Sequence, residues 1–265
     1  MAFNLTYLDR FKIEDEDLGL TEPSGLVLDH DGDGLWTVSD DTERVFLLTL
    51  DGKLRRDRTF DVPDTGLEGI TMDPTGTFLF TVREETNEII KLDAGEGKVA
   101  DRRRLAHMDG YDQIADAFAG SVDNKGLEGI AWNTRTASLF VLKEGNPGLL
   151  IEVQADLTAI RGHSRLDARS GFVDPEISSR EVDYSGVCYD PSRAAFWIVS
   201  DKAQRVYLYD EDAKHVTHSA PLGYGRNGKY REIKKAEGIA CDPASNRLYI
   251  VSDEEARLYV FDVRP

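Results

Sequence analysis

The sequence has few of the residues and motifs that usually identify a functional site. It contains two cysteines, Cys188 and Cys241, without CxxC spacing, and five histidines that occupy no equivalent positions in the repeats described below. The shortage of clustered nitrogen and sulfur ligands argues against zinc, and the non-equivalent thiols argue against a disulfide. The sequence also has no Gly-x-Ser-x-Gly elbow, phosphate-binding loop or nicotinamide fingerprint, so no motif-bearing enzyme class is indicated.

Long apolar runs are also absent. No stretch stays apolar over the length needed to cross a bilayer, and residues 1–13 alternate polar and apolar side chains. Neither a membrane span nor a signal peptide is therefore predicted. We expect a cytoplasmic protein from the sequence as it stands, or a periplasmic or cell-envelope protein if these residues are part of a longer chain.

Basic residues are outnumbered by acidic ones, 32 to 49, which gives a formal net charge of −17. No basic stripe offers the phosphate-neutralising surface that nucleic acid requires, so we exclude nucleic acid as a partner. Most of the acidic excess is interpreted as a solubilising surface. A small-molecule or envelope-associated ligand is compatible with this charge, and we expect a monomer.

The chain does contain five stretches that align with one another without a gap. Each has a glycine that follows a serine or glutamate, and each reaches an acidic residue 15 positions after that glycine. The glycines are Gly25, Gly69, Gly129, Gly186 and Gly238; the residues before them are Ser24, Glu68, Glu128, Ser185 and Glu237; the later acids are Asp40, Glu84, Glu144, Asp201 and Asp253. Self-similarity at a fixed spacing is typical of a repeat architecture.

The pattern within each copy predicts β-strands. In the second copy, apolar residues alternate on both sides of an Asp73-Pro74-Thr75-Gly76 turn, which favours a hairpin. A third strand follows in every copy, and four copies have room for a fourth, as in Leu54 to Val62. The fifth copy lacks an outer strand, whereas Leu5 to Ile13 forms an unassigned one. We predict an all-β, five-bladed propeller of four-stranded antiparallel blades, a single domain over residues 1–265, with the N-terminal strand completing the last blade. Segments 98–125, 161–183 and 218–236 are predicted to be outer strands followed by long loops rather than a sixth blade.

This architecture brings the residue before each glycine to one mouth of the central channel. Glu68, Glu128 and Glu237 would converge there, and like charges so close raise one another's pKa unless a cation compensates them. Carboxylate, hydroxyl and carbonyl oxygens suit Ca²⁺, so we predict calcium with these three glutamates as ligands. The alternative is that they cap strand ends by binding backbone amides.

The second set of acids lies one step further out on the same mouth. We predict a ligand pocket of Ser24, Asp40, Arg83, Glu84, Lys143, Glu144 and Ser185, although acids at strand ends often bind their own turn. Arg83 and Lys143 stand where other copies have serine. They either pair with neighbouring acids at a solvated rim or meet an anionic ligand beside the metal. The run from Asp29 to Gly34 matches the opening of an EF-hand loop, but its position predicts a hairpin turn.

At several of these positions the chain resembles the SdiA-regulated family of bacterial proteins, which is distantly similar to NHL-repeat propellers and to esterase-like phytase domains. The matching phrases are Gly66-Leu67-Glu68-Gly69-Ile70, Lys125-Gly126-Leu127-Glu128-Gly129-Ile130-Ala131, Lys143-Glu144-Gly145-Asn146-Pro147, Tyr184-Ser185-Gly186-Val187, Val199-Ser200-Asp201 and Ala236-Glu237-Gly238-Ile239-Ala240. The resemblance implies a five-bladed propeller with a calcium site whose ligands are Glu68, Glu128 and Glu237, which we call the axial glutamates. It implies no reaction. Gly145 stands where the family phrase often has an arginine.

Two functional hypotheses follow from the residues. In the first, the protein is a binding or structural module in which calcium joins the blades and the channel mouth holds a ligand. In the second, it is a metal-dependent hydrolase acting as a phosphoesterase, esterase or lactonase. The metal would then polarise a phosphoryl or carboxyl oxygen, and Asp201 or Asp253 would take a proton. The sequence offers no nucleophile and base pair, which favours the first hypothesis.

Overall fold

The protein is described by a computed structural model that covers residues 3–119, 125–226 and 229–264. Five four-stranded antiparallel sheets are arranged as blades around a central channel, so the predicted five-bladed propeller is confirmed. Blade I contains β2 (Pro23–Leu28), β3 (Gly34–Ser39), β4 (Arg44–Thr49) and β5 (Phe60–Asp61). Blade II contains β6 (Leu67–Met72), β7 (Phe78–Arg83), β8 (Glu88–Asp93) and β9 (Lys98–Arg104).

The remaining blades follow the same plan. Blade III contains β10 (Leu127–Asn133), β11 (Ser138–Lys143), β12 (Gly148–Gln154) and β13 (Ile160–Leu166). Blade IV contains β14 (Gly186–Asp190), β15 (Ala195–Ser200), β16 (Arg205–Asp210) and β17 (His215–Pro221). A separate hairpin, β18 (Gly223–Arg226) and β19 (Lys229–Glu232), precedes blade V, which contains β20 (Ala236–Asp242), β21 (Arg247–Ser252) and β22 (Arg257–Arg264).

Blade V is completed by the first strand of the chain, β1 (Asn4–Lys12), as predicted. β1 runs antiparallel to β22, from the Asn4–Arg264 pair to the Lys12–Arg257 pair, with a register shift after Tyr7. The N-terminal strand thus occupies the outer edge of the last sheet. Closing the ring in this way removes a broken edge between the first and last blades.

The core is divided among the interfaces between neighbouring blades. Between blades I and II, for example, Trp36 and Leu47 pack in one buried cluster with Ile70 and Leu79. Buried strands of this kind are rich in branched and aromatic residues because both faces of each sheet are covered. Each fully buried aliphatic or aromatic side chain contributes about 1.5–3 kcal/mol to folding. The core therefore fixes the order of the blades and the position of the channel.

The repeated glycines lie where the innermost strands of neighbouring blades meet. A Cβ on Gly25 would lie 2.6 Å from the carbonyl oxygen of Glu68, and one on Gly186 would lie 2.1 Å from that of Glu237. At the closure of the ring, a Cβ on Gly238 would lie 2.8 Å from the carbonyl carbon of Gly25. No side chain fits into such gaps. The glycines are therefore required by close backbone approach around the channel.

Several connecting elements differ from the prediction. The outer strand expected over Leu54 to Val62 is reduced to Phe60–Asp61, because a 3-10 turn at Arg56–Arg58 interrupts it. The β18–β19 hairpin and a short helix, Ala115–Phe118, lie in segments expected to be loops. Residues 120–124 of the first such segment lie outside the described residues. No helix in the described part of the chain is long and apolar enough to cross a membrane.

Candidate metal and ligand site

One mouth of the channel opens into an acidic cavity of about 350 Å³. All five blades contribute to it, because the first strand of each blade begins here and the second strand ends here. The cavity is lined by Asp40, Glu68, Glu84, Glu128, Glu144, Asp183, Ser185, Asp201, Lys202, Lys235, Glu237 and Asp253. Nine of these residues are acids and two are lysines. We refer to this space as the acidic cavity.

The local backbone explains why the axial glutamates enter the channel. The pairing of first and second strands is irregular at Glu68, at Glu128 and at Glu237, where the register shifts between the residues on either side. A β-bulge of this kind leaves one residue without a partner and turns its side chain away from the regular alternation. Each glutamate thus lies at the start of an innermost strand, next to the glycine that contacts the following blade.

Burial and mutual repulsion perturb the acid–base chemistry of these glutamates. Burial raises the pKa of Glu68 to about 8, with added repulsion from Asp40 and Glu84. Burial also raises the pKa of Glu128 well above its usual value, with repulsion from Glu68, Glu84 and Glu237. The pKa of Glu237 is raised for the same reasons, although Lys235 opposes the shift. A bound cation would compensate this group of charges.

The closest oxygen donors do not coincide with the three axial residues. Within the described parts of the chain, Glu84, Glu128 and Glu144 bring carboxylate oxygens within 4.8 Å of one another, and Glu22, Asp40 and Asp41 form a second such group. The first group combines an axial glutamate with two acids from the outer set. Both groups offer only oxygen donors, and Asp40 of the second group has a buried oxygen, Oδ1, without a hydrogen-bond partner. These features fit a hard divalent cation such as Ca²⁺.

The outer acids are also bound to protein groups. The Glu84 carboxylate accepts a hydrogen bond of 3.1 Å from the Gly126 amide, and Asp201 accepts one of 3.2 Å from Ala236. Each of these amides lies at the start of the next blade, so both acids bind the neighbouring blade. Asp201 also binds its own turn, because its Oδ1 accepts a hydrogen bond of 3.1 Å from Gln204. Asp253 is 5% exposed and is paired with Lys235.

Three residues predicted for the ligand pocket do not line the acidic cavity. Ser24 is buried, and its hydroxyl donates to the Glu22 carbonyl at 3.3 Å. Arg83 donates from Nε to the Thr65 carbonyl at 2.9 Å and forms ion pairs with Asp64 and Glu85.

Lys143 is fully buried. Its Nζ donates to the Gly145 carbonyl at 2.6 Å and lies 5.5 Å from the centre of the Phe118 ring, and burial lowers its pKa. The Lys143 ammonium group therefore binds groups in the protein interior and does not face the acidic cavity.

The turn that resembles an EF-hand opening is not associated with either carboxylate group. Asp29 is buried, and its Oδ1 accepts a hydrogen bond of 2.7 Å from the Trp36 indole. In blade IV, Asp190 and Trp197 repeat this contact at 3.1 Å. The first acid of the motif thus supports the hairpin, as the sequence predicted.

Asp183, Lys202 and Lys235 also line the acidic cavity, although the repeat pattern did not predict them. A signal for Asp183 was available at the position three residues before each repeated glycine. In the two copies that have serine before the glycine, this position is acidic, as Glu22 and Asp183; in the other three it is Gly66, Gly126 and Lys235. The Asp183 carboxylate accepts a hydrogen bond of 2.5 Å from Ser200. Blade IV, which has Ser185 before its glycine, therefore contributes an acidic side chain to the channel mouth from Asp183, two residues earlier.

The fold and this mouth define the class of the protein, a β-propeller with an acidic axial cavity. The chain belongs to the SdiA-regulated family, whose pattern matches residues 5–262. Among solved structures it is similar to glutaminyl cyclase from Myxococcus xanthus, with a TM-score of 0.67, 12% identity and coverage of 99% of this chain and 97% of the cyclase. A luciferin-regenerating enzyme gives a TM-score of 0.53 at 12% identity, covering 97% of this chain and 96% of that one. At such identities the similarity shows the fold alone.

Proposed function

We propose that the protein is a calcium-binding propeller whose acidic cavity holds the metal and a ligand, and that it acts as a binding or structural module. The observation that carries this proposal is the convergence of nine carboxylates from five blades on one cavity of about 350 Å³. Two lysines compensate only part of this charge. A divalent cation would supply the missing positive charge at the point where burial raises the pKa of Glu68, Glu128 and Glu237.

The chemistry of the lining supports calcium among the common metals. The acidic cavity is lined by carboxylates, one hydroxyl and ammonium groups, with no histidine or cysteine among its described lining residues. Ca²⁺ accepts six to eight oxygens in flexible geometry, whereas Mg²⁺ requires a small, nearly ideal octahedron. Glu68, Glu128 and Glu237 are the proposed ligands, and Glu84 and Glu144 lie close enough to Glu128 to complete the shell. A cation bound by these residues would join blades II, III and V.

Calorimetry on chelator-treated protein tests the metal. We expect Ca²⁺ to bind with a stoichiometry of one, to raise the melting temperature, and to bind more tightly than Mg²⁺. The gain in stability should grow with free calcium as the linkage relation requires, by about 2.7 kcal/mol at one hundred times the dissociation constant. Identical melting curves with calcium and with chelator, together with no heat of binding, would reject the calcium site.

The acidic cavity also has room for metal-dependent hydrolysis, which is the second candidate function. A water occupies about 30 Å³ in the liquid, so a space of about 350 Å³ exceeds what one cation needs. When bound, a divalent cation provides a Lewis acid at an ester oxygen. Asp201 and Asp253 line this cavity and are the candidate proton acceptors, and burial raises the pKa of Asp201.

A screen of phosphate esters, carboxylate esters and lactones with added calcium tests this activity. Asp201→Asn should abolish any activity found while preserving calcium binding. No turnover in the presence of bound calcium would favour the module, and turnover that persists unchanged in chelator would exclude the metal-dependent reaction.

A further inference from the structure

A second cavity, of about 540 Å³, lies between blades III and IV and has the opposite chemistry. It is formed by the loop between β11 and β12 at Asn146 and Pro147, the end of β13, a short 3-10 turn at Ala168–Ser170, and the segment that leads into β14. Three arginines line it, Arg165, Arg169 and Arg180. We call it the arginine cavity.

Two of the three arginines in this cavity have no neutralising acid beside them in the described part of the chain. In a chain with a net charge of −17, Arg169 and Arg180 have no ion-pair partner among the described residues, and their side chains are exposed. Arg165 lies 3.6 Å from Asp167, the only acid of the lining, measured from Nε to Oδ2. The other carboxylate oxygen of Asp167, Oδ1, accepts hydrogen bonds from the backbone amides of Arg169 and Ser170. The positive charge of this cavity is thus largely unneutralised.

The floor of the arginine cavity is apolar and closely packed. Leu166, Val182 and Tyr184 line it and are 2%, 5% and 2% exposed. The Tyr184 hydroxyl donates to the Leu166 carbonyl at 2.9 Å. Its ring packs so closely over Gly148 that a Cβ there would lie 2.1 Å from the ring. The tyrosine is therefore held in place by both contacts, and its almost fully buried ring forms part of the closed apolar base of the cavity.

We infer that the arginine cavity binds a small organic oxyanion, a carboxylate or phosphate group carried on an apolar body. Guanidinium groups match both oxyanions through paired hydrogen bonds, and unpaired arginines need no ion pair to be broken before a ligand binds. Ligand sites commonly occupy 300–1,000 Å³ with an apolar lining and a few converging polar groups, and the volume of about 540 Å³ lies within that range. This site is separate from the acidic cavity and does not depend on calcium binding there.

The test is calorimetric titration of the full chain in chelator-containing buffer with hexyl phosphate, with hexanoate, and with 1-hexanol as the uncharged control. We expect saturable binding of at least one anion with a stoichiometry of one, and much weaker binding of hexanol. Binding of both anions identifies a general oxyanion site, whereas binding of one assigns the headgroup. Absence of saturable binding of both anions up to about 10 mM overturns the inference, since weaker affinities correspond to less than about 3 kcal/mol.

Matched variants locate the site. The double variant Arg169→Gln/Arg180→Gln should weaken anion binding at least about tenfold, which corresponds to about 1.4 kcal/mol. The control Arg103→Gln/Arg104→Gln removes the same charge from exposed positions on β9 and should change affinity by less than about twofold. Equal weakening by both variants would show a general charge effect and would overturn the site. Hexanol binding as tight as that of the anions would do the same.

Discussion

The Glu84 carboxylate, at the end of the second strand of blade II, accepts a hydrogen bond of 3.1 Å from the Gly126 amide at the start of blade III. Asp201 makes a similar contact with the Ala236 amide, one repeat position later, between blades IV and V. Glu84 and Asp201 therefore connect neighbouring blades, whereas Glu144 and Asp253 pair with Lys125 and Lys235 of their own blades. One repeated sequence pattern thus serves both the assembly of the ring and the acidic cavity.

The glycine contacts give a direct test of ring assembly. Gly186→Ala places a Cβ 2.1 Å from the Glu237 carbonyl oxygen, so the strands of blades IV and V must separate. We expect a loss of about 1–3 kcal/mol in the free energy of unfolding, measured by urea denaturation in chelator. Gly162→Ala is the control, because nothing lies within 4 Å of the added Cβ. That variant should stay within about 0.5 kcal/mol of the parent protein, and an equal loss in both variants would contradict the close-approach explanation.

Much of the fold could be predicted because the repeat spacing repeats the geometry of one blade. The glycine, the hairpin turn and the later acid fix the first two strands, and the short supply of residues after β22 indicated that the N-terminal strand completes blade V. The outer strand of blade I was less predictable. Leu54 and Arg55 still bond to β4, but the 3-10 turn at Arg56–Arg58 then breaks the pairing until Phe60.

The side chains around the mouth were predictable only in part. Successive residues of a strand point to opposite faces, so Arg83 and Lys143, each directly before an outer acid, were poor candidates for the cavity that those acids line. Asp183 and Lys235 enter from the segment before each first strand, where the repeat is irregular and no fixed residue type marks the direction. The sequence thus predicted which blades meet at the mouth better than it predicted which side chains face it.

The two cysteines are expected to be reduced and slow to react. The Cys188 thiol is buried against Cys241, which raises the pKa of Cys188 well above its usual value, and the Cys241 thiol donates to the Tyr189 carbonyl at 3.2 Å. Because the thiolate is the reactive form, an aromatic disulfide reagent at about pH 8 should label Cys241 before Cys188, and both slowly. Cys241→Ser should leave only the slower phase. Two rapid thiols in the native protein, or none in non-reducing denaturant, would contradict this arrangement.

Glu128→Gln should lower the stability of the protein in calcium but not in chelator. In calcium the variant loses a proposed ligand, so its melting temperature should fall below that of the parent protein. In chelator the same change removes a buried carboxylate repelled by Glu68, Glu84 and Glu237, so the variant should be at least as stable as the parent. Thermal unfolding in both buffers measures this difference.

Glu43→Gln, a change at an exposed position, provides the control and should shift neither curve appreciably. A Glu128→Gln variant that is less stable by the same amount in both buffers would indicate a purely structural role for Glu128.

The acidic cavity also sets the pH dependence of stability. The pKa of Glu68 is about 8 in the folded protein, above the value of about 4.3 typical of an unfolded chain, so the folded state binds more protons between these limits. Without metal, the contribution of Glu68 to the free energy of unfolding should therefore be greatest at or below about pH 4.3. This contribution should fall as the pH rises toward 8. Bound calcium would replace the proton as the compensating charge, so excess calcium should flatten or reverse the fall. Urea unfolding between about pH 5 and pH 8, in chelator and in calcium, measures both slopes. Equal slopes in the two buffers would show that calcium does not affect the titration of Glu68. That result would contradict the proposal that the metal binds in the same cavity as Glu68.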